Sequence, residues 1–259
     1  PASSGDWYTG ARLLGEKYVR TNSANVEADW GGGFDWDSNV GWLKSSAVSG
    51  WQSWMWKRHA GFDVVCYEGT GSNQAINHSL GRNVEMAWIK RRDGAADWKV
   101  YHSGTDSSNP EDYNLTLNSN GARDYSTTRF AAPTSTRFTV KTHATTNGSG
   151  NDYIMILFAS VDGISKVGSY SGSDSTISVN LGFQPRFLFV KNITNTGGWV
   201  TLDTTNGWGS GNDNFLYLNN NSAEGSYELG EPTSTGFDMA GNLGEVNNNG
   251  STYIYYAHA

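Results

Sequence analysis

YIMILFASV, residues 153–161, is apolar almost without interruption and rich in β-branched and aromatic side chains. Such a run suits a strand in a sheet better than an isolated helix, and the Gly148-Ser149-Gly150 breaker before it supplies a turn to start from. It reads as a central strand. Working outward, runs of the same character recur at Phe62–Tyr67, Val84–Arg91, Trp98–His102, Tyr113–Leu117 and Arg137–Lys141, with Ser, Thr, Asn and Gly between them. Gly is frequent (32 residues) and Pro scarce (5), the composition of short strands joined by turns. The expected class is all-β.

The pattern then repeats, which decides the architecture. Leu80-Gly81 returns as Leu181-Gly182, Lys90 as Lys191 and Trp98 as Trp199, each 101 positions on (199 − 98 for the tryptophans). LTLNSNGA (115–122) becomes LYLNNNSA (216–223), and PTSTRF (133–138) becomes PTSTGF (232–237). The second copy places strands at Phe187–Lys191, Trp199–Asp203, Asn214–Leu218 and Thr252–His258. Residues 1–60 read as the back half of a third copy. Asn22-Ser23-Ala24 is set against Asn221-Ser222-Ala223, Gly33-Phe34 against Gly236-Phe237, and Trp51 to Trp56 stand in for the Tyr153 strand. The expectation is a tandem of β-sandwiches of jelly-roll or lectin-like type: a half copy (1–60) packed on its neighbour, one repeat over 61–162 and another over 163–259. Val161 to Tyr170 is read as the linker. A half copy exposes strand edges and one apolar face, so it must pack on its neighbour or be completed by sequence outside the chain. Truncation or processing upstream of Pro1 is the expected origin.

The chain has 259 residues, 37% hydrophobic and 13% aromatic, enough to bury a real core. A net charge of −7 argues against a nucleic-acid partner, which needs a cationic face. The one compact basic run, Lys90-Arg91-Arg92, reads as a solvated strand end. The single Cys66 can form no internal disulfide and reads as a core thiol. No apolar run reaches the roughly eighteen residues of a membrane span. His59, His78, His102, His143 and His258 are scattered without metal-binding spacing, and GSYSG (168–172) has Tyr170 where a nucleophilic serine would stand. Asp35/Asp37, Glu111/Asp112 and Asp203/Asp213 are formal carboxylate pairs, read as turn residues. Weak Ca²⁺ binding at Asp106 to Asp112 is the one ion considered, and no cofactor, metal site or catalytic residue is expected.

Several motifs taken together resemble a known family. They are Tyr67-x-Gly69-x-Gly71, Asn77-His78-x-Leu80-Gly81, Ile89-Lys90-Arg91, Trp98-x-Val100-Tyr101 and Gly148-x-Gly150-x-x-Tyr153-Ile154, with Gly182-Phe183-x-Pro185 in the second copy. Their order resembles the domain of about one hundred residues repeated in tail and fibre proteins of tailed bacteriophages, notably phages of marine bacteria and cyanobacteria. That resemblance implies a virion-surface structural protein, a spacer and host adhesin. Its partners would be other virion proteins and a host cell-surface glycan, assembled as a homo-oligomer, a trimer by analogy. It implies no catalytic residues. The alternatives are a carbohydrate-binding module of an extracellular bacterial protein and a glycan-degrading tail enzyme. Trp98 and Trp199 share one framework position and read as core. Trp30, Trp36, Trp42 and Trp208 have no repeated counterpart and sit among Gly, Asp and Asn. They are the glycan-binding candidates, with burial at an interface as the competing reading.

Overall fold

In the computed structural model, which describes residues 4–32, 34–36, 41–44 and 51–259, the regular structure is almost entirely antiparallel strand. The half copy contributes a three-stranded sheet, β1 (Tyr8–Gly10), β2 (Lys17–Arg20) and β3 (Ala28–Asp29), and a short ladder, β4 (Phe34–Asp35) with β5 (Leu43–Lys44). Copy 1 contributes β6 (Phe62–Glu68), β7 (Gln74–Asn77), β8 (Met86–Arg91), β9 (Lys99–His102), β10 (Tyr113–Thr116), β11 (Asp124–Tyr125), β12 (Phe130–Ala131), β13 (Arg137–Val140) and β14 (Asp152–Phe158). Copy 2 contributes β15 (Ser165–Ser171), β16 (Ile177–Asn180), β17 (Phe187–Asn192), β18 (Trp199–Asp203), β19 (Asp213–Tyr217), β20 (Gly225–Tyr227), β21 (Pro232–Thr233), β22 (Gly236–Met239) and β23 (Thr252–His258).

Both full copies are wound alike. Copy 1 forms a six-stranded sheet, β11-β10-β9-β8-β14-β6, and a three-stranded sheet, β12-β13-β7. Copy 2 forms β20-β19-β18-β17-β23-β15 and β21-β22-β16, the same order throughout. YIMILFASV is indeed central, and its lack of alternation has a cause. On β14, Tyr153, Met155 and Leu157 pack toward the small sheet of their own copy, while Ile156 and Phe158 enter a core shared with copy 2. On β23, Tyr253 and Tyr255 face inward to their copy, and Ile254 and Tyr256 face the shared core. Strands buried on both faces need apolar side chains on both, so period two vanishes from the sequence.

The shared core also takes in the half copy, through Val19 and the partly buried Trp7, Trp54 and Trp56. Three tryptophans fix how the copies meet. The backbone N–H groups of Trp7, Trp98 and Trp199 donate to Asn22, Asn118 and Asn219 Oδ1 at 3.1, 2.9 and 2.8 Å. Their indole N–H groups donate to carbonyls of a different copy: Trp98 to Arg20 (2.7 Å), Trp199 to Thr116 (3.2 Å) and Trp7 to Tyr217 (2.8 Å). Arg20, Thr116 and Tyr217 each lie two residues before the capping asparagine, so the three bonds are equivalent. Copy 1 grips the half copy, copy 2 grips copy 1, and the half copy grips copy 2: the ring closes with pseudo-threefold symmetry. A second set follows it, with Ala96, Gly197 and Gly5 N–H donating to the carbonyls of Ala24, Asn120 and Asn221 at 2.9, 2.9 and 3.1 Å.

These contacts revise several expectations. Lys90 is no solvated strand end; it is fully buried, and its Nζ donates to the Ala24 and Ala96 carbonyls at 3.0 and 2.7 Å. Lys191 is its counterpart, bonded to the Asn120 and Asn192 carbonyls at 3.3 and 2.6 Å. Burial pulls both ammonium groups down to about 8, a cost of about 3 kcal/mol each that leaves them charged at neutral pH. The presumed linker is largely strand β15, which pairs along its whole length with β23. Asn22 corresponds to Asn219, not Asn221, a slip of two within an asparagine-rich turn. Gly33 lies outside the described residues. Residues 51–58 carry no assigned strand; Trp54 stacks on Trp7 (5.2 Å) and Trp56 packs on Phe62 and Phe187 instead. Cys66, on β6, is half-buried.

His102 seals the contact between the two full copies. It is fully buried, its Nδ1 accepts the Gly104 N–H (2.9 Å), and its Nε2 therefore carries the proton given to the Tyr255 carbonyl at 3.2 Å. Burial lowers its pKa to about 4. The folded state thus disfavours the protonated ring: its contribution is complete above pH 6.5 and declines as pH falls toward 4, by up to about 3 kcal/mol.

Two outcomes are expected. Trp7→Phe, which frees the Tyr217 and Asn220 carbonyls, should cost about 1–2 kcal/mol in urea unfolding at pH 7. The loss of stability between pH 6.5 and 4.5, followed by thermal unfolding, should shrink in His102→Gln, whose amide keeps a donor and an acceptor but does not titrate.

Candidate functional site

Strands β1 and β2 pair with Tyr8 opposite Arg20 and Gly10 opposite Tyr18, which puts Tyr8, Tyr18 and Arg20 on the face away from the shared core. Tyr8 and Tyr18 meet edge to face at 5.1 Å. Trp30 follows β3 and stands edge-on to both, with ring centroids 4.4 Å from Tyr8 and 4.8 Å from Tyr18. Trp51 lies parallel to Tyr8 at 5.4 Å, with an interplanar angle of 2°, and leaves 47% of its surface to solvent. The Arg20 guanidinium sits 5.6 Å above the Tyr8 ring and 5.2 Å above Tyr18, donates to the Tyr18 hydroxyl at 3.0 Å, and is ion-paired with Asp6 across 3.1 Å. The result is an aromatic floor edged by a cation and a carboxylate. Flat rings of this kind offer stacking to an apolar C–H face, while Arg20 and Asp6 offer a donor and an acceptor at its rim.

The sequence candidates fall on both sides of this surface. Trp30 belongs to it. Trp36 is half-buried beside it; its indole N–H donates to the Gly15 carbonyl (3.0 Å), and its ring lies so close to Gly10 that a methyl there would stand 3.0 Å from Cζ2. Trp42 is half-buried just before β5. Trp208 is a correction: it is 3% exposed, packs in the core of copy 2 and donates to the Gly230 carbonyl at 2.9 Å, so it offers no ring face to a ligand. Its glycine-rich surroundings suggest a surface loop, but the indole turns inward into the core of copy 2. Tyr8, Tyr18, Arg20 and Trp51 were not singled out from sequence. The signal was present in WYTG and EKYVR, two alternating runs whose strands are too short to stand out.

The formal carboxylate pairs have structural occupations. Asp203 and Asp213 are 2% and 0% exposed. Asp203 accepts the Thr205 N–H and the Trp54 indole N–H, both at 2.7 Å. Asp213 accepts the N–H groups of Gly209, Leu229 and Gly230 at 3.0, 2.7 and 3.1 Å; burial pushes its carboxyl up, against those donors. Glu111 and Asp112 form a short 3-10 turn, Asp35 lies on β4, and Asp37 is outside the described residues. Asp106 is held by the N–H groups of Ser108 and Asn109. Among the described residues no three His, Cys, Asp or Glu are grouped to share a metal ion, and no helix is long and apolar enough to cross a membrane.

Copy 2 carries a cavity of about 160 Å³ on the corresponding face, lined by Val200, Phe215, Tyr217 and Tyr227 from the sheet and by Leu229 and Leu243 from the chain opposite. Trp7 and Trp199 set the equivalence, which makes Tyr8 the counterpart of Val200 and Tyr18 and Arg20 those of Phe215 and Tyr217. The aromatic floor and the cavity are therefore one position of the repeat, furnished differently.

No curated protein and no solved structure matches the chain. A family model described as a domain of unknown function, DUF7483, matches residues 17–259, which takes in both full copies and most of the half copy. By that match the chain belongs to the DUF7483 family.

Proposed function

We propose that the chain is a structural and adhesive component of a bacteriophage particle, displayed on the virion surface as part of a tail fibre, with its aromatic floor holding a sugar of a host cell-surface glycan. The motif order that resembles phage tail and fibre domains supports the particle. The observation that carries the adhesive role is the exposed Trp51 ring, held parallel on Tyr8 and wedged by Trp30. An exposed indole held against other rings loses little entropy when a sugar stacks on it, and Arg20 and Asp6 lie within the same cluster to meet hydroxyl groups. The packed sheets serve as the spacer, and other virion proteins and further copies of the chain are the proposed neighbours. The same floor also suits a carbohydrate-binding module of an extracellular bacterial protein. That reading differs in context and not in chemistry.

Adsorption of the labelled protein to candidate host cells tests this, with extracted surface polysaccharide as competitor and reducing ends assayed in the same tube. Competed binding without released product is expected. Trp51→Ala should weaken it about tenfold, equivalent to about 1.4 kcal/mol, while Tyr227→Ala on copy 2 should not. Release of product would make the protein an enzyme, and absence of binding would leave it a spacer.

A further inference from the structure

The third instance of this position, in copy 1, has a different chemistry again. Trp98 and Trp199 are equivalent, so Lys99 stands where copy 2 has Val200, and Asn114 and Thr116 where it has Phe215 and Tyr217. On the opposite chain, the Lys141 N–H donates to the Arg129 carbonyl as Ala240 does to Leu229, and Asn147 donates to His143 as Asn247 does to Leu243. Arg129 and His143 therefore replace Leu229 and Leu243. Five apolar or aromatic walls of the copy 2 cavity are Lys, Asn, Thr, Arg and His in copy 1.

Among the described residues, the cations of this cluster have no buried counter-charge. Lys99 and Arg129 are each only 8% exposed. Lys99 Nζ donates to Thr116 Oγ1 at 2.8 Å, and Asp97 stands 4.0 Å away. Arg129 Nε is buried without a hydrogen-bond partner, as is Asn114 Oδ1 nearby. The nearest carboxylate to Arg129 is Asp124, 3.7 Å from Nη1, with 69% of its side chain in solvent. His143 Nδ1 accepts the Thr145 N–H at 3.1 Å, which leaves the proton on Nε2. Burial, then the charges of Arg129 and Lys99, hold the imidazole below its usual pKa, so it is a neutral donor at pH 7. A guanidinium desolvated to this degree forgoes strong hydrogen bonds unless something supplies acceptors. The net charge of −7 means that no general positive field would draw an anion here; the attraction has to be local.

We propose that this position in copy 1 is an oxyanion-binding site, taking a carboxylate, sulfate or phosphate group between Arg129, Lys99 and His143, with Asp124 swinging outward to admit it. The site does not depend on the adhesive reading, because it lies on a different copy and uses different residues.

The test uses the full chain at pH 7, with sodium sulfate, sodium phosphate or sodium glucuronate against sodium chloride at matched ionic strength. Thermal unfolding and the Arg Nε–H resonances are followed together. The expected result is a saturable rise in midpoint with at least one oxyanion and a selective shift of the Arg129 Nε–H signal; which salt acts identifies the group. Arg129→Gln and Lys99→Met should each weaken the response at least tenfold, and Asp124→Asn should lower the half-saturating concentration severalfold by removing the competing carboxylate. If Arg129→Gln fails to fold, Lys99→Met and the resonance carry the decision. Equal effects of chloride and all three oxyanions, or a folded Lys99→Met variant with an unchanged response, would overturn the proposal.

Discussion

Everything in this fold depends on the six-stranded sheets being covered on both sides. Each lies between its own small sheet and a core held in common with the other copies, so no copy completes its burial alone. Apolar burial supplies the stability of that common core, at about 25 cal/mol per Å² removed from water, but it does not fix an orientation. The indole-to-carbonyl bonds do. Trp7, Trp98 and Trp199 each join two copies through a directional indole N–H. Since each bond is worth only about 1 kcal/mol net, their main effect is to choose one arrangement among many that would bury similar area.

The repeat explains which parts of this were legible. The 101-residue register located Trp98 and Trp199 and the strands around them, because large aromatic residues at a fixed spacing survive divergence. YIMILFASV announced a strand with no exposed face. The register of residues 1–60 against the later copies was harder to read. Trp7 and Asn22 lie closer in sequence than Trp98 and Asn118, since the intervening loop is shorter, and the asparagine-rich turn aligns equally well two residues away. β15 escaped because SKVGSYS is polar on its solvent side and holds a glycine against Tyr255, where a Cβ would collide with the hydroxyl. Lys90 misled for a simpler reason. Charge runs are usually solvated, and only the fold shows that two carbonyls wait for this one.

The recurrent outer face was illegible for a deeper reason. Tyr8, Lys99 and Val200 share a place on their strands and have no chemistry in common, so residue similarity could not connect them. Trp30 stands two residues past the strand partner of Tyr18, as Tyr227, which lines the copy 2 cavity, stands two past the partner of Phe215. The scaffold holds a position constant while its furnishing changes, and the equivalence becomes visible only through backbone contacts that side-chain divergence leaves untouched. The position lies on the sheet face turned away from the common core, where substitutions disturb little of that core.

The closed ring also sets an order on synthesis. The partners of Trp7 and Gly5 are residues 217 to 221, more than two hundred positions downstream. At ribosomal rates of roughly 5–20 residues per second, Trp7 and Gly5 wait on the order of ten to forty seconds for the surface they dock on. During that interval Trp7, Trp54 and Trp56 have no completed core to enter, while copy 1 can already assemble its two sheets. Trp7 is thus locked only after a surface made two hundred positions later has formed, and until then the tryptophans that join it in the common core stay uncovered.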